Sequence, residues 1–287
     1  MPSLLKTVHL TAADAGKTLQ ELLRERLGIS NRQAKALMDS RSVFVNGRRV
    51  WMARHVMRAG DVVTLPGAGS AGPSGGADAV EVLWRDAWIL AVNKPPGLVS
   101  ESAGGSLEAR LRVERNEPGL RALHRLDKET SGVMLFARSG TDREPYIGCF
   151  REKAVRKEYL AVVRGVPETQ HFTITSRLDN KEAVTEVRVL VRTRSHALVR
   201  CRIPTGRTHQ IRRHLLMRDL VIVGERTYGQ EAAVSNPVER AAPRQMLHAA
   251  RLSLVCPHTG KDISVKAPLF PDMADTLKGL KLREVSV

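Results

Sequence analysis

Cysteine is scarce in this chain of 287 residues: Cys149, Cys201 and Cys256 are odd in number and far apart. That argues against a disulfide framework and for a reducing compartment, the cytoplasm. No apolar run approaches the ~20 residues of a membrane helix. Met1-Pro2-Ser3-Leu4-Leu5-Lys6 lacks the apolar core of a signal peptide, and no membrane partner is expected. Neither CxxC nor HExxH spacing occurs, so no metal site is suggested. Acidic residues are also in deficit, 30 Asp and Glu facing 46 Lys and Arg, for a formal net charge of +16. Such a surplus suits a polyanion, most often nucleic acid, because cations release counterions from phosphates. A hydrophobic content of 42% excludes wholesale disorder. The length allows one or two domains with a normal core.

Large side chains are nearly missing from residues 67–79, Gly-Ala-Gly-Ser-Ala-Gly-Pro-Ser-Gly-Gly-Ala-Asp-Ala. Such a stretch cannot build a core and reads as a flexible linker between domains 1–66 and 80–287. Before it, Leu19, Leu22, Leu23 and Leu27 follow helical spacing. Ser30-Asn31-Arg32-Gln33 has the capping-box form and opens a second helix carrying Ala34, Leu37 and Met38. Val43-Phe44-Val45 reads as a strand, Asn46-Gly47 as a tight turn, and Arg48-Arg49-Val50 as the return. Residues 1–66 hold 11 Lys and Arg against 5 Asp and Glu. Arg32, Lys35, Arg48 and Arg49 are candidate phosphate contacts on one face of this domain.

After the linker, Val80–Trp84 and Trp88–Val92 read as strands paired about Asp86-Ala87, and Ser106–Val113 as a short helix. Lys157–Val163, Val184–Val191 and His196–Ile203 read as strands, and Ile211–Arg218 as a helix. Helices and strands interleave without regular βαβ spacing, which favours an α+β fold.

The chemistry-bearing string is His124-Arg125-Leu126-Asp127-Lys128-Glu129-Thr130-Ser131-Gly132. Asp127 could be a nucleophile, a base or an electrostatic partner, and the cations Arg125 and Lys128 favour its ionised form. An isolated Asp here would more often cap the turn at Thr130-Ser131-Gly132. The full string, however, resembles the signature of the RluA/RluC/RluD family of RNA pseudouridine synthases. Asn93-Lys94-Pro95-Pro96-Gly97, Lys157-Glu158-Tyr159-Leu160-Ala161, Gly206-Arg207-Thr208-His209-Gln210-Ile211-Arg212 and Leu247-His248-Ala249 resemble further family elements, in the family's order. Ile29 to Lys35, Val43 to Gly47 and Ala59 to Val63 resemble the alpha-L RNA-binding domain named after ribosomal protein S-four.

The resemblance implies a catalytic domain on a mixed, largely antiparallel sheet with a central cleft, plus a small N-terminal α/β RNA-binding domain. It implies isomerisation of uridine to pseudouridine in RNA without a cofactor. Large-subunit ribosomal RNA is the expected partner. Transfer RNA, or a silent assembly role with the same fold, is the alternative. A monomer is expected. Asp127 matches the family's essential aspartate. Tyr159 matches the tyrosine that stacks on the uracil, and Arg207 the arginine that pairs with the catalytic carboxylate. Arg125 matches a residue that fills the stack when the base leaves it. Asn93, Lys94, His209 and Arg212 are expected to bind substrate. Gly224-Glu225 departs from the family's usual Gly-Asp, and Asp219 from a common glycine.

Overall fold

The computed structural model describes residues 5–31, 34, 38, 43–46, 48–50, 55–66, 80–101, 105–228 and 235–282. Their contacts divide into two units, Met1–Asp78 and Ala79–Val287.

The smaller unit contains β1 (Leu5–His9), α1 (Leu19–Leu27), β2 (Phe44–Val45), β3 (Arg48–Arg49) and β4 (Val62–Pro66). Its strands form an antiparallel sheet in the order β1-β4-β2-β3. A capping box starts α1: Glu21 N donates to Thr18 Oγ1 and Thr18 N donates to Glu21 Oε2. Gly28, at φ 64°, ends it. The helix buries Leu19, Leu22 and Leu23 against Val43, Val45 and Val63. Asn46, at φ 50°, turns the hairpin and accepts from Val62 N, which ties β2 to β4. At the expected second helix, Ala34 N donates to Ser30 O, and Ala34 and Met38 are buried. Arg32, Lys35, Gln33 and the linker 67–79 lie outside the described residues, as do the side chains of Arg48 and Arg49.

The larger unit is built on one sheet of β5 (Val82–Arg85), β6 (Ile89–Lys94), β7 (Arg121–Ala122), β8 (Ser131–Ala137), β9 (Arg156–Arg164), β10 (His171–Leu178), β11 (Lys181–Arg192), β12 (His196–Arg202), β13 (Val221–Ile222), β14 (Leu247–Val255) and β15 (Asp262–Lys266). The main path runs β10-β11-β12-β9-β14-β8-β6-β5. Pairing is antiparallel except between β14 and β8, so the sheet is mixed and largely antiparallel. Among the described residues five helices accompany it: α2 (Leu107–Glu114), α3 (Arg143–Arg151), α4 (Gln210–Leu216), α5 (Pro237–Ala241) and α6 (Pro271–Gly279). The expected α+β class is the observed one.

Alternation along the central strands feeds two cores. On β9, Tyr159, Ala161 and Val163 join α2 and α4 residues Leu107, Leu111, Ile211 and Leu215. Leu160 and Val162 face the other way, toward Met273 and Leu277 of α6. The seven residues of β8 are all buried. A strand covered on both faces reads as an unbroken apolar run, so alternation could not reveal it. Alternation therefore marks neither β8 nor the buried first half of β14.

Candidate active site

Asp127 lies in the loop between β7 and β8, and the loop is fastened from several sides. Ser100 Oγ donates to Leu126 O at 2.7 Å, Gly97 N to Lys128 O at 2.8 Å, and Arg244 Nη1 to Glu129 O at 3.0 Å. Gly132 explains the end of the string. Its φ is +114°, and a Cβ there would stand 2.2 Å from Ala249 O, where β8 meets β14. Thr130 N donates to the backbone oxygen of Asp127, not to its side chain. The carboxylate is therefore not consumed in capping the turn.

It faces a cavity of about 550 Å³ lined by Asp127, Tyr159, Arg125, Lys157, Arg207, His209 and Arg212, among others. That size is in the ordinary range of ligand pockets. Among the described residues the lining carries six cations, Arg125, Arg151, Lys153, Lys157, Arg207 and Arg212, and one carboxylate, Asp127. Cations surrounding one carboxylate in this way suit an anionic substrate.

The arginine on Asp127 is Arg212, whose Nη1 lies 3.1 Å from Asp127 Oδ2. This corrects the expectation for Arg207. Arg207 lines the same cavity, but its Nε donates to Glu182 O at 3.1 Å, and no ion pair joins it to Asp127 among the described residues. The reason is local. His209 takes a left-handed backbone, φ 53°, as the cap of α4, and the helix then points Arg212 inward while Arg207 stays on the loop before it. His209 Nδ1 is 2.7 Å from Tyr228 Oη, and its Nε2 is 3.8 Å from Asp127 Oδ1. Burial pulls the His209 pKa down, against the raising effect of Asp127.

Arg212 is only 6% exposed and is held on three sides. Its Nε and Nη2 fork onto Glu225 at 2.6 and 2.8 Å, and Nη2 also donates to Thr227 Oγ1. Its guanidinium carbon lies 5.1 Å over the Tyr228 ring. Burial opposes its charge, yet hydrogen bonding and charge from Glu225, and then from Asp127, raise its pKa. Burial likewise acts upward on Glu225, and the Arg212 bonds with Thr227 N override it, so its pKa is lowered. Both ends of the pair are thereby kept charged beside Asp127. Glu225 stands at the position where the sequence departs from the family's usual Asp; that departure was the available signal. Tyr228 carried none.

Tyr159 is buried on β9, and burial, then the charge of Asp127, pushes its phenol pKa upward. It presents a ring and a protonated hydroxyl to the cavity. His124 is driven down to about 3 by burial; its Nε2 accepts from Leu135 N, so it is a neutral structural group. Arg125 is exposed at the cavity.

Asn93 and Lys94, expected to bind substrate, are not among the lining residues. Asn93 Nδ2 donates to Glu81 and to Pro268 O, and Asn93 is buried on β6. Lys94 is 0% exposed and donates to Pro95 O and Lys128 O at 2.9 and 3.0 Å. Lys94 thus holds the loop of Asp127 through Lys128 O, whereas Asn93 ties β6 to Glu81 and Pro268. Asp219, at φ 56°, occupies a left-handed position after α4, which explains why glycine would also suit it. Among the described residues no group of three or more His, Cys, Asp or Glu side chains converges as a metal site would require.

Residues 89–217 match the family model described as RNA pseudouridylate synthase. The ribosomal large subunit pseudouridine synthase D of Neisseria meningitidis serogroup A is 32% identical over 231 residues, which cover 71% of this chain and 62% of that one. The matched part thus spans less than two thirds of that relative. An uncharacterized RNA pseudouridine synthase of Bacillus subtilis is 30% identical over 285 residues, covering 88% of this chain and 90% of the relative. Among solved structures, human RNA pseudouridylate synthase domain containing 4 superposes with a TM-score of 0.59 at 25% identity, over 70% of this chain and 93% of that one.

Proposed function

This chain belongs to the RluA-type family of RNA pseudouridine synthases, and we propose that it isomerises uridine to pseudouridine in large-subunit ribosomal RNA. The observation that carries the reading is the Asp127 carboxylate, turned into a basic cavity and held by Arg212 beside Tyr159. In the reaction the bond from ribose C1′ to uracil N1 breaks, the base turns, and a bond from C1′ to C5 forms. C5 loses its proton and N1 gains one, so substrate and product are isomers. Asp127 serves as the nucleophile on sugar or ring, or assists glycal formation. Arg212 holds it in place through their ion pair. Tyr159 offers its ring to the uracil and stands at the side from which the C5 proton leaves. Arg125 occupies the gap in the stack that the extruded uridine vacates.

We read residues 1–66 as an alpha-L RNA-binding domain that raises affinity by tethering. Support comes from its short hairpin at Asn46, its helix α1 and its surplus of cations. The ribosomal substrate is favoured by the printed name of the Neisseria relative. A cytoplasmic place of action accords with the three free cysteines.

The test is release of tritium from C5-labelled uridine in ribosomal and transfer RNA by wild type and Asp127→Ala. Release from large-subunit RNA by wild type alone is expected. A wild-type protein that binds RNA tightly and releases nothing from either class would end the proposal.

A further inference from the structure

The six cations of the cavity are not equivalent. Arg212 is neutralised by Glu225 and Asp127, and Arg151 pairs with Glu144. Among the described residues no ion pair reaches Lys157 or Arg207, yet the two adjoin. Lys157 Nζ lies 3.4 Å from Thr205 O, and a Cβ built on Gly206 would stand 3.7 Å from the same nitrogen. The ammonium therefore sits against the backbone that carries Arg207. Burial, and then the charge of Arg207, lowers the Lys157 pKa to about 8. Arg207 is fixed through Nε by Glu182 O. Its terminal nitrogens, which carry four N–H groups, make no hydrogen bond among the described residues. A guanidinium with unused terminal N–H groups and an ammonium, lining one cavity, suit a phosphate.

We propose that Lys157 and Arg207 form one phosphodiester-binding subsite in the cavity, filled by a backbone phosphate next to the uridine on which Asp127 acts. The inference rests on the RNA reading above. It gives Arg207 a place in substrate binding and leaves the carboxylate to Arg212. A phosphate there would relieve the repulsion between the two cations and fix the register of the strand, and with it the uridine presented to Asp127. Gly206, without a side chain, keeps the approach to the Lys157 ammonium open.

The experiment is binding of a large-subunit ribosomal RNA transcript across a salt series, in an Asp127→Asn background so that turnover does not intervene. Lys157→Gln, Arg207→Gln, the double variant, Lys157→Arg and Gly206→Val are compared, each checked for thermal unfolding. One phosphate contact on a single strand contributes about 0.7 to the slope of log affinity against log salt. The double variant should lose about 0.7 in all, Gly206→Val should weaken binding with both cations present, and Lys157→Arg should keep the slope. An unchanged slope in folded Lys157→Gln and Arg207→Gln overturns the subsite. A loss of about 1.4 in the double variant overturns it as well, since it means two separate phosphates. If wild type released no tritium while the slope still fell by about 0.7, the isomerase reading would fail and the subsite would stand.

Discussion

Two arginines five positions apart compete for the same part, and only one reaches it. Arg212 is buried between Glu225 and Asp127, whereas Arg207 is half exposed and held by one backbone carbonyl. Removing one member of a buried ion pair leaves the others uncompensated and costs about 3–5 kcal/mol. Arg212→Met should therefore destabilise by about that amount in urea unfolding, with Arg207→Met costing clearly less; equal costs would contradict the assignment. Lys94 gives a second expectation at this scale. Burial, with Arg244 as the next cause, lowers its pKa to about 7. Between that value and the ordinary 10.5, the unfolded chain binds a proton that the folded chain has lost. Stability must then rise with pH across this window. From pH 6.5 to 9.5, wild type should gain about 3 kcal/mol relative to Lys94→Met; parallel pH profiles of unfolding free energy would refute it.

At the scale of elements, the approach of β8 to β14 sets the loop that carries Asp127. Gly132 permits it, since a Cβ would penetrate Ala249 O. Gly97, at φ +85° with open space around it, needs only the backbone freedom. Gly132→Ala should cost about 3 kcal/mol or more from overpacking and strain, and Gly97→Ala about 1–2 kcal/mol from conformation alone. Chemical denaturation of the two variants decides it; an indifferent Gly132→Ala would mean that β8 and β14 do not lie so close. Alternation in the sequence marks a strand that has one wet face. On β12, buried Val199 and Cys201 alternate with half-buried Arg200 and exposed Arg202. β8 is dry on both faces and loses the period of two, whereas the equally buried β6 was legible from the turn at Asp86-Ala87.

The molecule as a whole carries a net charge of +16 and divides into two units. If residues 1–66 act as a tether, their deletion should weaken RNA affinity much more than turnover at saturating RNA. Unchanged affinity in a filter-binding titration would rule the tether out. Binding of the full chain should also fall steeply with salt, because a net charge of +16 favours phosphate contacts that release counterions.

The order of amino acids alone reveals what lies close along the chain. The charge surplus, the Asp127 string, Tyr159 on its strand and the α+β succession are short-range patterns, readable in linear order. Tertiary structure decided what joins distant segments. Asp127 and Arg212 are 85 positions apart, and Lys94 and the Lys128 carbonyl are 34 apart. Such pairings depend on how α4 enters after the left-handed His209 and on which faces of β6 and β8 are covered. Local spacing could nominate both Arg207 and Arg212. Only the direction of each side chain in the packed fold, and the desolvation that demands a partner for every buried charge, could choose between them.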